Sequence, residues 1–387
     1  MQYILVDIVD HPNFYPFTLT RSLGELRVGI FSFQERWELF LNQDTQIYTI
    51  PYLQVKYDDS FLKNNELNCY INVACIPNED IIQMIHSLKE GQRLISASGK
   101  WIATVTRDIA LDKILLTDKS AIQIDGASFL ENAVHLLKIN SLLIQKDFNW
   151  VKSNRKTAEI DSSNRCIGLD HIFIEEGAQI SCANLNASEG PIYIGKEAVI
   201  MEGVSLRGPI VIGNKTVVKM NTSMYGACSI GPQCIIGGEL KNTIMMGCSN
   251  KGHDGYLGDS IIGYWCNIGA GTCNSNIKNT AGKVQLWNQA KQQWETVGQK
   301  MGMLMGDYSR FAILSRINTG SYIGVSANVF GQGLLPKFLP NFTWGVINGY
   351  HLEKVFDDIN NWQKLKGGQI STAEKQVLKH LHSLDIQ

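Results

Sequence analysis

Three positions in the chain combine a reactive or polar side chain with a break in an otherwise regular pattern. In Asn250-Lys251-Gly252-His253-Asp254-Gly255 a polar Asn250 takes a place where an aliphatic residue is due, three residues before a histidine. Eighteen residues after His253 lies Gly271, in Gly269-Ala270-Gly271. An imidazole exchanges its proton near neutral pH, and one that faces side-chain-free backbone leaves room for a ligand. The pattern breaks again at Asn274, where Asn274-Ser275-Asn276 supplies amide and hydroxyl groups of the kind that hydrogen-bond a sugar. A lone histidine at such a place more often sits at a solvated corner. Clustered departures from local regularity favour a site.

The pattern being broken has a period of six. Ile194, Ile200, Leu206, Ile212, Val218, Met224, Ile230 and Ile236 follow one another without a gap. Four residues after each come Ala198, Val204, Ile210, Thr216, Thr222, Cys228, Cys234 and Leu240. Neither a helix, with its period of about 3.6, nor an alternating strand explains this. A triangular coil does: each hexapeptide forms one flat face and turns its aliphatic residue inward, and about eighteen residues complete a turn. Stacked turns pair as parallel strands ~4.8 Å apart. The phase resumes at Tyr256, Ile262 and Ile268, then at Met305, Phe311, Ile317, Ile323 and Val329, with Ile174 and Ile180 as first members. The expected fold is therefore an α/β N-terminal domain followed by a left-handed parallel β-helix of hexapeptide repeats with C-terminal helices. Cys228, Cys234 and Cys266 occupy small interior positions of the repeat, so a packing role is expected for them.

The expected boundaries are an α/β domain over 1–150, a polar linker over 151–165, the coil over 166–345, and a helical cap over 346–387 closing the coil's open edge. Tyr3–Val6 is an expected strand and Ile81–Leu88 an expected helix; Gln92–Ile95 and Trp101–Val105 form a hairpin about Ser98-Gly99-Lys100, and Ala133–Ile144 is helical. Residues 277–303 interrupt the coil as a projecting hairpin. A net charge of −1 with 18% charged residues gives no basic surplus for nucleic acid. No apolar run approaches the roughly 18 residues that a membrane span needs. Nine cysteines without a CxxC pair suggest reduced thiols and a cytoplasmic location.

Leu240-Lys241, then His253-Asp254-Gly255-Tyr256-Leu257-Gly258-Asp259, then Asn267-Ile268-Gly269-Ala270-Gly271-Thr272 resemble the acetyltransferase half of GlmU-like enzymes. Those are bifunctional UDP-N-acetylglucosamine pyrophosphorylase/glucosamine-1-phosphate N-acetyltransferases. The resemblance implies that His253 is the general base toward the attacking amine, that Lys241 and Tyr256 hold the sugar phosphate, and that Asn267 and Asn276 position the sugar. It places Gly269 and Ala270 beside the acetyl-CoA thioester and implies a homotrimer. The family's upstream arginine has no clear counterpart; Lys219 is the candidate.

The N-terminal half lacks the GxGTRM-like loop usual in the family. Pro16-Phe17-Thr18-Leu19-Thr20-Arg21-Ser22-Leu23-Gly24-Glu25-Leu26-Arg27-Val28-Gly29 instead resembles the opening of a shorter, alternative group of fused sugar-nucleotidyltransferase/acetyltransferase proteins. In that reading Arg21 and Arg27 contact nucleotide phosphates with Mg²⁺ assisting; the alternative is that both arginines form ion pairs. The expected activity is acetyl-CoA-dependent N-acetylation of an amino-sugar 1-phosphate, with nucleotidyl transfer from a nucleoside triphosphate to the product. A sugar-1-phosphate nucleotidyltransferase on a trimerising coil, and a non-catalytic β-helix scaffold, are the alternatives. A zinc hydratase would need several converging histidines, and only His171 and His253 fall in the coil.

Overall fold

The computed structural model describes residues 1–62, 66–110, 114–115 and 121–385. The N-terminal unit is built on a six-stranded sheet. Thr45–Tyr48, Gln2–Val6 and Asn68–Asn72 lie parallel, followed by antiparallel Trp101–Thr106 and Arg93–Ser96 and then Ala121–Ile124, which runs parallel to Arg93–Ser96. The expected first strand, the helix Glu79–Ser87 and the hairpin about Gly99 are all present. The second expected helix, read over Ala133–Ile144, is longer than its apolar stretch and runs over Ala133–Asn154. Its last turns continue into the stretch read as linker because Phe148 and Val151 bury against the coil.

The coil is a parallel β-solenoid. Ile194 pairs with Ile212 and Ile212 with Ile230, each eighteen residues apart. The inward column is aliphatic and closed to solvent: Ile200, Val218 and Ile236 are 0–1% exposed. Fully burying such a side chain contributes roughly 1.5–3 kcal/mol, and a single hexapeptide has nothing to bury against until its neighbours stack. Cys228, Cys234 and Cys266 lie in this core, as expected.

Three features differ from expectation. The polar 157–164 stretch is not free: Ala158 N–H donates to Ile174 O and Asn164 Nδ2 to Ile180 O, and Ala158 and Ile160 pack on the coil core. This segment covers the first coil's open edge, which would otherwise invite pairing. The C-terminal helices Leu352–Lys364 and Thr372–Asp385 do not lie across the last coil alone. They pack on Tyr308, Val325 and Phe342, which flank three successive turns, and on Leu19 and Leu53 of the N-terminal unit. The last turn's edge pairs instead with Ile347–Asn348, antiparallel to Thr343–Trp344. Lastly, the antiparallel hairpin Val284–Asn288/Gln293–Gly298 folds onto the N-terminal unit, where Val284 and Leu286 join Leu130, Ala133 and Leu137 in one core.

One face of the coil is thus covered by the N-terminal unit. Phe173, Tyr193 and Val211 pack on Ile144, Phe148 and Val151, and Asn140 donates to Ala227 O and accepts from Ser229 Oγ. The other two faces and the corner between them carry the candidate site.

Candidate functional site

The hydrogen-bond register corrects the phase through the irregular turns. Ile230 pairs with Met245, fifteen residues on, and Met245 with Ile262, seventeen on. In the neighbouring face Ile235 pairs with Asn250 and Ile236 with Lys251. Lys251, not Asn250, therefore occupies the aliphatic position, and it is 2% exposed. Asn250 faces outward, its Oδ1 accepting from Lys366 Nζ of the C-terminal segment. The same correction applies to Tyr256: Leu257 turns inward at 1% exposure, in register with Leu240, and Tyr256 stands beside Glu239 on the outer surface. Asn274 does hold an interior position, as expected, in register with Ile317 and 4% exposed. Its amide is satisfied there by Gly258 N–H, Gly258 O and Ser260 Oγ.

His253 is exposed at the corner that follows Lys251. The corner below it is glycine for a steric reason: a Cβ on Gly238 would come within 2.9 Å of His253 O, and one on Gly237 within 2.9 Å of His253 N. Above, Gly271 N–H donates to Asp254 O at 3.0 Å. These stacked turns form a groove of about 590 Å³ lined by Met201, Lys219, Met220, His253, Asp254 and Ala270, among others. His253 lines this groove, and its ring makes no hydrogen bond to a described residue. Lys219 belongs here: a Cβ on Gly252 would lie 3.5 Å from its Nζ. Met220, Ile313 and Leu314 are 61–71% exposed, and Leu314 N–H donates to Ala270 O, which leaves an apolar edge beside the groove.

A second groove, of about 630 Å³, continues round the corner and shares Gly238 and Asp254 with the first. Tyr225, Glu239 and Tyr256 line it. Asn276 Nδ2 donates to Tyr256 Oη at 3.0 Å and also to Asp259 Oδ2. Asp259, 7% exposed, accepts from Asn242 Nδ2 as well. Burial and the Asp259 charge push the Tyr256 phenol up to about 12, so it serves as a neutral hydrogen-bonding group. Lys241 stands over the Tyr225 ring, Nζ 5.6 Å from its centroid.

The structure therefore brings His253, Lys219 and Ala270 together, and places Tyr256, hydrogen-bonded to Asn276, in the adjoining groove. Asn267 stands apart within one chain, on the face where it pairs with Asn250 and Arg310. Lys251 and Asp259 were missed by the sequence reading. The signal for Lys251 was a lysine two residues before the histidine, hidden because the aliphatic position was assigned to Asn250, one residue short of the true register.

Arg21 and Arg27 follow the ion-pair alternative. Arg21 is 7% exposed; its Nε and Nη2 both donate to Asp307 Oδ2, at 2.7 and 2.6 Å, and its guanidinium lies 3.9 Å from the Tyr264 ring centroid. It bolts the N-terminal unit to the coil and does not face solvent. Arg27 borders a cleft of about 600 Å³ with Trp150, Arg155 and Tyr193, but its guanidinium donates to Ile30 O and pairs with Glu35 at 2.8 Å. The carboxylates after the first strand do not fit Mg²⁺ as they stand. Asp7, 1% exposed, accepts from Leu23 N–H, and Asp10, 7% exposed, pairs with Lys100. A hydrated divalent ion bridging to phosphates needs carboxylate oxygens open to both.

Comparison with known proteins supplies what this geometry leaves open about the N-terminal unit. Residues 3–156 match the family model described as sugar nucleotidyl transferase. The bifunctional protein GlmU of Methanocaldococcus jannaschii is 29% identical over 106 residues, which is 27% of this chain and 26% of that protein. The chain thus aligns with about a quarter of that relative's length. Both similarities agree with the motif resemblance: a short sugar-nucleotidyltransferase-like unit joined to a β-solenoid, in a chain similar to GlmU.

Proposed function

We propose that the protein acetylates an amino-sugar 1-phosphate, glucosamine 1-phosphate being the leading candidate, with acetyl-CoA, and serves nucleotide-sugar synthesis in the cytoplasm. The observation that carries this reading is His253, exposed in a groove with Lys219 and Ala270 that joins a second groove lined by Tyr256, the hydrogen-bond partner of Asn276. The amine nitrogen attacks the thioester carbonyl carbon, the C–S bond breaks with its electron pair on sulfur, and the thiolate leaves as CoA, which regains a proton from the His253 imidazolium or from water. His253 takes the proton that the amine gives up; such a base is effective when its pKa lies near the working pH. Lys219 supplies positive charge for a phosphate, and the neutral phenol of Tyr256 and the amide of Asn276 supply hydrogen bonds to sugar hydroxyls. The exposed Met220, Ile313 and Leu314 edge suits a pantetheine arm and the flank of a neighbouring coil, in keeping with a homotrimer in which Asn267 of one chain serves a groove of the next. The N-terminal unit would then couple the acetylated product to a nucleoside triphosphate.

The test is release of free thiol from acetyl-CoA in the presence of glucosamine 1-phosphate, with His253→Ala alongside. The variant should be slower by about 10²-fold or more, the usual scale for losing a general base. No release from the wild type with any amino-sugar phosphate would overturn the reading. A second reading, a sugar-1-phosphate nucleotidyltransferase on a purely structural coil, is favoured by the family match over residues 3–156. Pyrophosphate release from UTP or dTTP without thiol release would select it. A non-catalytic scaffold would show neither.

A further inference from the structure

Lys251 is a charged side chain in a column that the fold otherwise fills with hydrocarbon. Ile200, Val218 and Ile236 precede it in register, and Ile268, Phe311 and Val329 follow, all at 3% exposure or less. An ammonium group taken out of water costs several kcal/mol even after the protein relaxes around it. A seventh apolar side chain at this point would carry no such cost. The Lys251 stem stacks in the column, and Nζ donates to two backbone carbonyls, Gly237 O at 2.9 Å and His253 O at 2.6 Å. Those carbonyls belong to the two stacked corners that form one wall of the His253 groove. Hydrogen bonds from a charged donor are about twice as strong as neutral ones, so the corners are tied to each other from inside the coil. Gly237 N–H returns a bond to Lys251 O, and the glycines at 237 and 238 allow the approach.

We propose that Lys251 is a positioning residue: its ammonium clamps the 252–254 corner to the turn below and so fixes where the His253 ring projects over the groove. The catalytic consequence rests on the acetyl-transfer reading; the clamp itself does not. Stability has been given up at an interior position whose side chain reaches the carbonyl of the candidate base. The charged and titratable groups around Lys251 are Lys219 against Gly252, His253 and Asp254 on its own corner, and Cys273 on the turn above. Burial lowers the Lys251 pKa to about 8, with Cys273 and Asp254 opposing the shift. Above that pH the clamp loses its charge, so the wild-type rate should carry an alkaline limb that depends on Lys251.

The decisive variant is Lys251→Ile, which installs the residue the repeat itself uses there; Lys251→Met keeps the unbranched stem. Replacing a buried charge by a well-packed hydrocarbon is often neutral or stabilising, so Lys251→Ile should unfold at or above the wild-type temperature. Amide hydrogen exchange over residues 252–255 should nonetheless quicken by about 10-fold or more, as expected of a corner freed to open locally. With the full-length protein, kcat for thiol release should fall by about 10–100-fold, a typical cost of a misplaced catalytic group. KM for acetyl-CoA should hold within about 3-fold, because an interaction that acts on the transition state lowers kcat alone. The alkaline limb near pH 8 should disappear. Wild-type exchange and wild-type kcat in Lys251→Ile would overturn the proposal, and so would a loss of stability that parallels the loss of rate in both variants. Should the wild type release no thiol at all, the acetyl-transfer reading falls while the exchange measurement still decides the clamp.

Discussion

Replacing Arg21 by Met separates two roles that the sequence left open. Asp307 is 0% exposed, and its Oδ2 accepts from Thr20 Oγ1 at 2.6 Å and from Arg21 Nε and Nη2, while Oδ1 accepts from Tyr264 N–H at 2.8 Å. Unit charges about 4 Å apart attract by about 4 kcal/mol at an effective dielectric constant near 20. Removing one partner of a buried pair typically costs ~3–5 kcal/mol, because the other charge is left enclosed and uncompensated. Lys56 lies close enough to Asp307 for the two charges to interact, so the carboxylate stays partly compensated and the cost falls at the lower end of that range. With a urea dependence of about 3 kcal/mol per molar, Arg21→Met should lower the unfolding midpoint by about 1 M. Far-UV circular dichroism and tryptophan fluorescence should be followed together, since the N-terminal unit and the coil need not melt as one. Adding Asp307→Asn should recover about half of the loss, because the amide no longer carries a stranded charge. A phosphate ligand would behave in the opposite way. If Arg21→Met shifts the midpoint by less than about 0.2 M while abolishing pyrophosphate release, the interdomain assignment is refuted.

Four further outcomes follow from particular side chains. Burial raises the Asp7 pKa from 3.8 to about 6, so the folded protein holds this proton more tightly than the unfolded chain and loses stability as pH rises from about 4 through 6. Asp7→Asn should therefore stabilise at pH 7 by up to about 3 kcal/mol and confer no gain near pH 3.8; an equal effect at both pH values would contradict it. Burial lowers the His11 pKa to about 4, so its ring should titrate there by NMR, and a midpoint near 6.5 would mean the ring is wet. Native thiol titration should find Cys182 and Cys273 fast and Cys69, Cys75, Cys228, Cys234 and Cys266 protected, since burial pushes the Cys228 thiol up to about 12. Gly255→Ala should destabilise the His253 corner and lower thiol release, because φ there is +122° and a Cβ would meet Thr272 O at 2.2 Å; wild-type rate and melting in this variant would show that the corner can yield.

The hexapeptide period sufficed for the solenoid, because each inward side chain repeats a local choice and the stacking that buries it follows from repetition alone. The interior cysteines and the grouping of His253 with Ala270 were legible for the same reason: they are fixed by position within the repeat. The hairpin was legible as an interruption of that repeat, but its packing on the N-terminal unit was not. Register across the shortened turns was not. Whether Asn250 or Lys251 enters the core depends on which residue pairs with Ile236, and a slip of one residue exchanges the interior for the surface. The hydrogen bonds of Lys251 could be found only once that pairing was known. Arg21 shows a second limit. Its partner Asp307 lies 286 residues away, and no spacing along the chain brings those charges together. The packing of the N-terminal unit on one face of the coil does so, which turns a residue shaped for phosphate into the bolt between two domains.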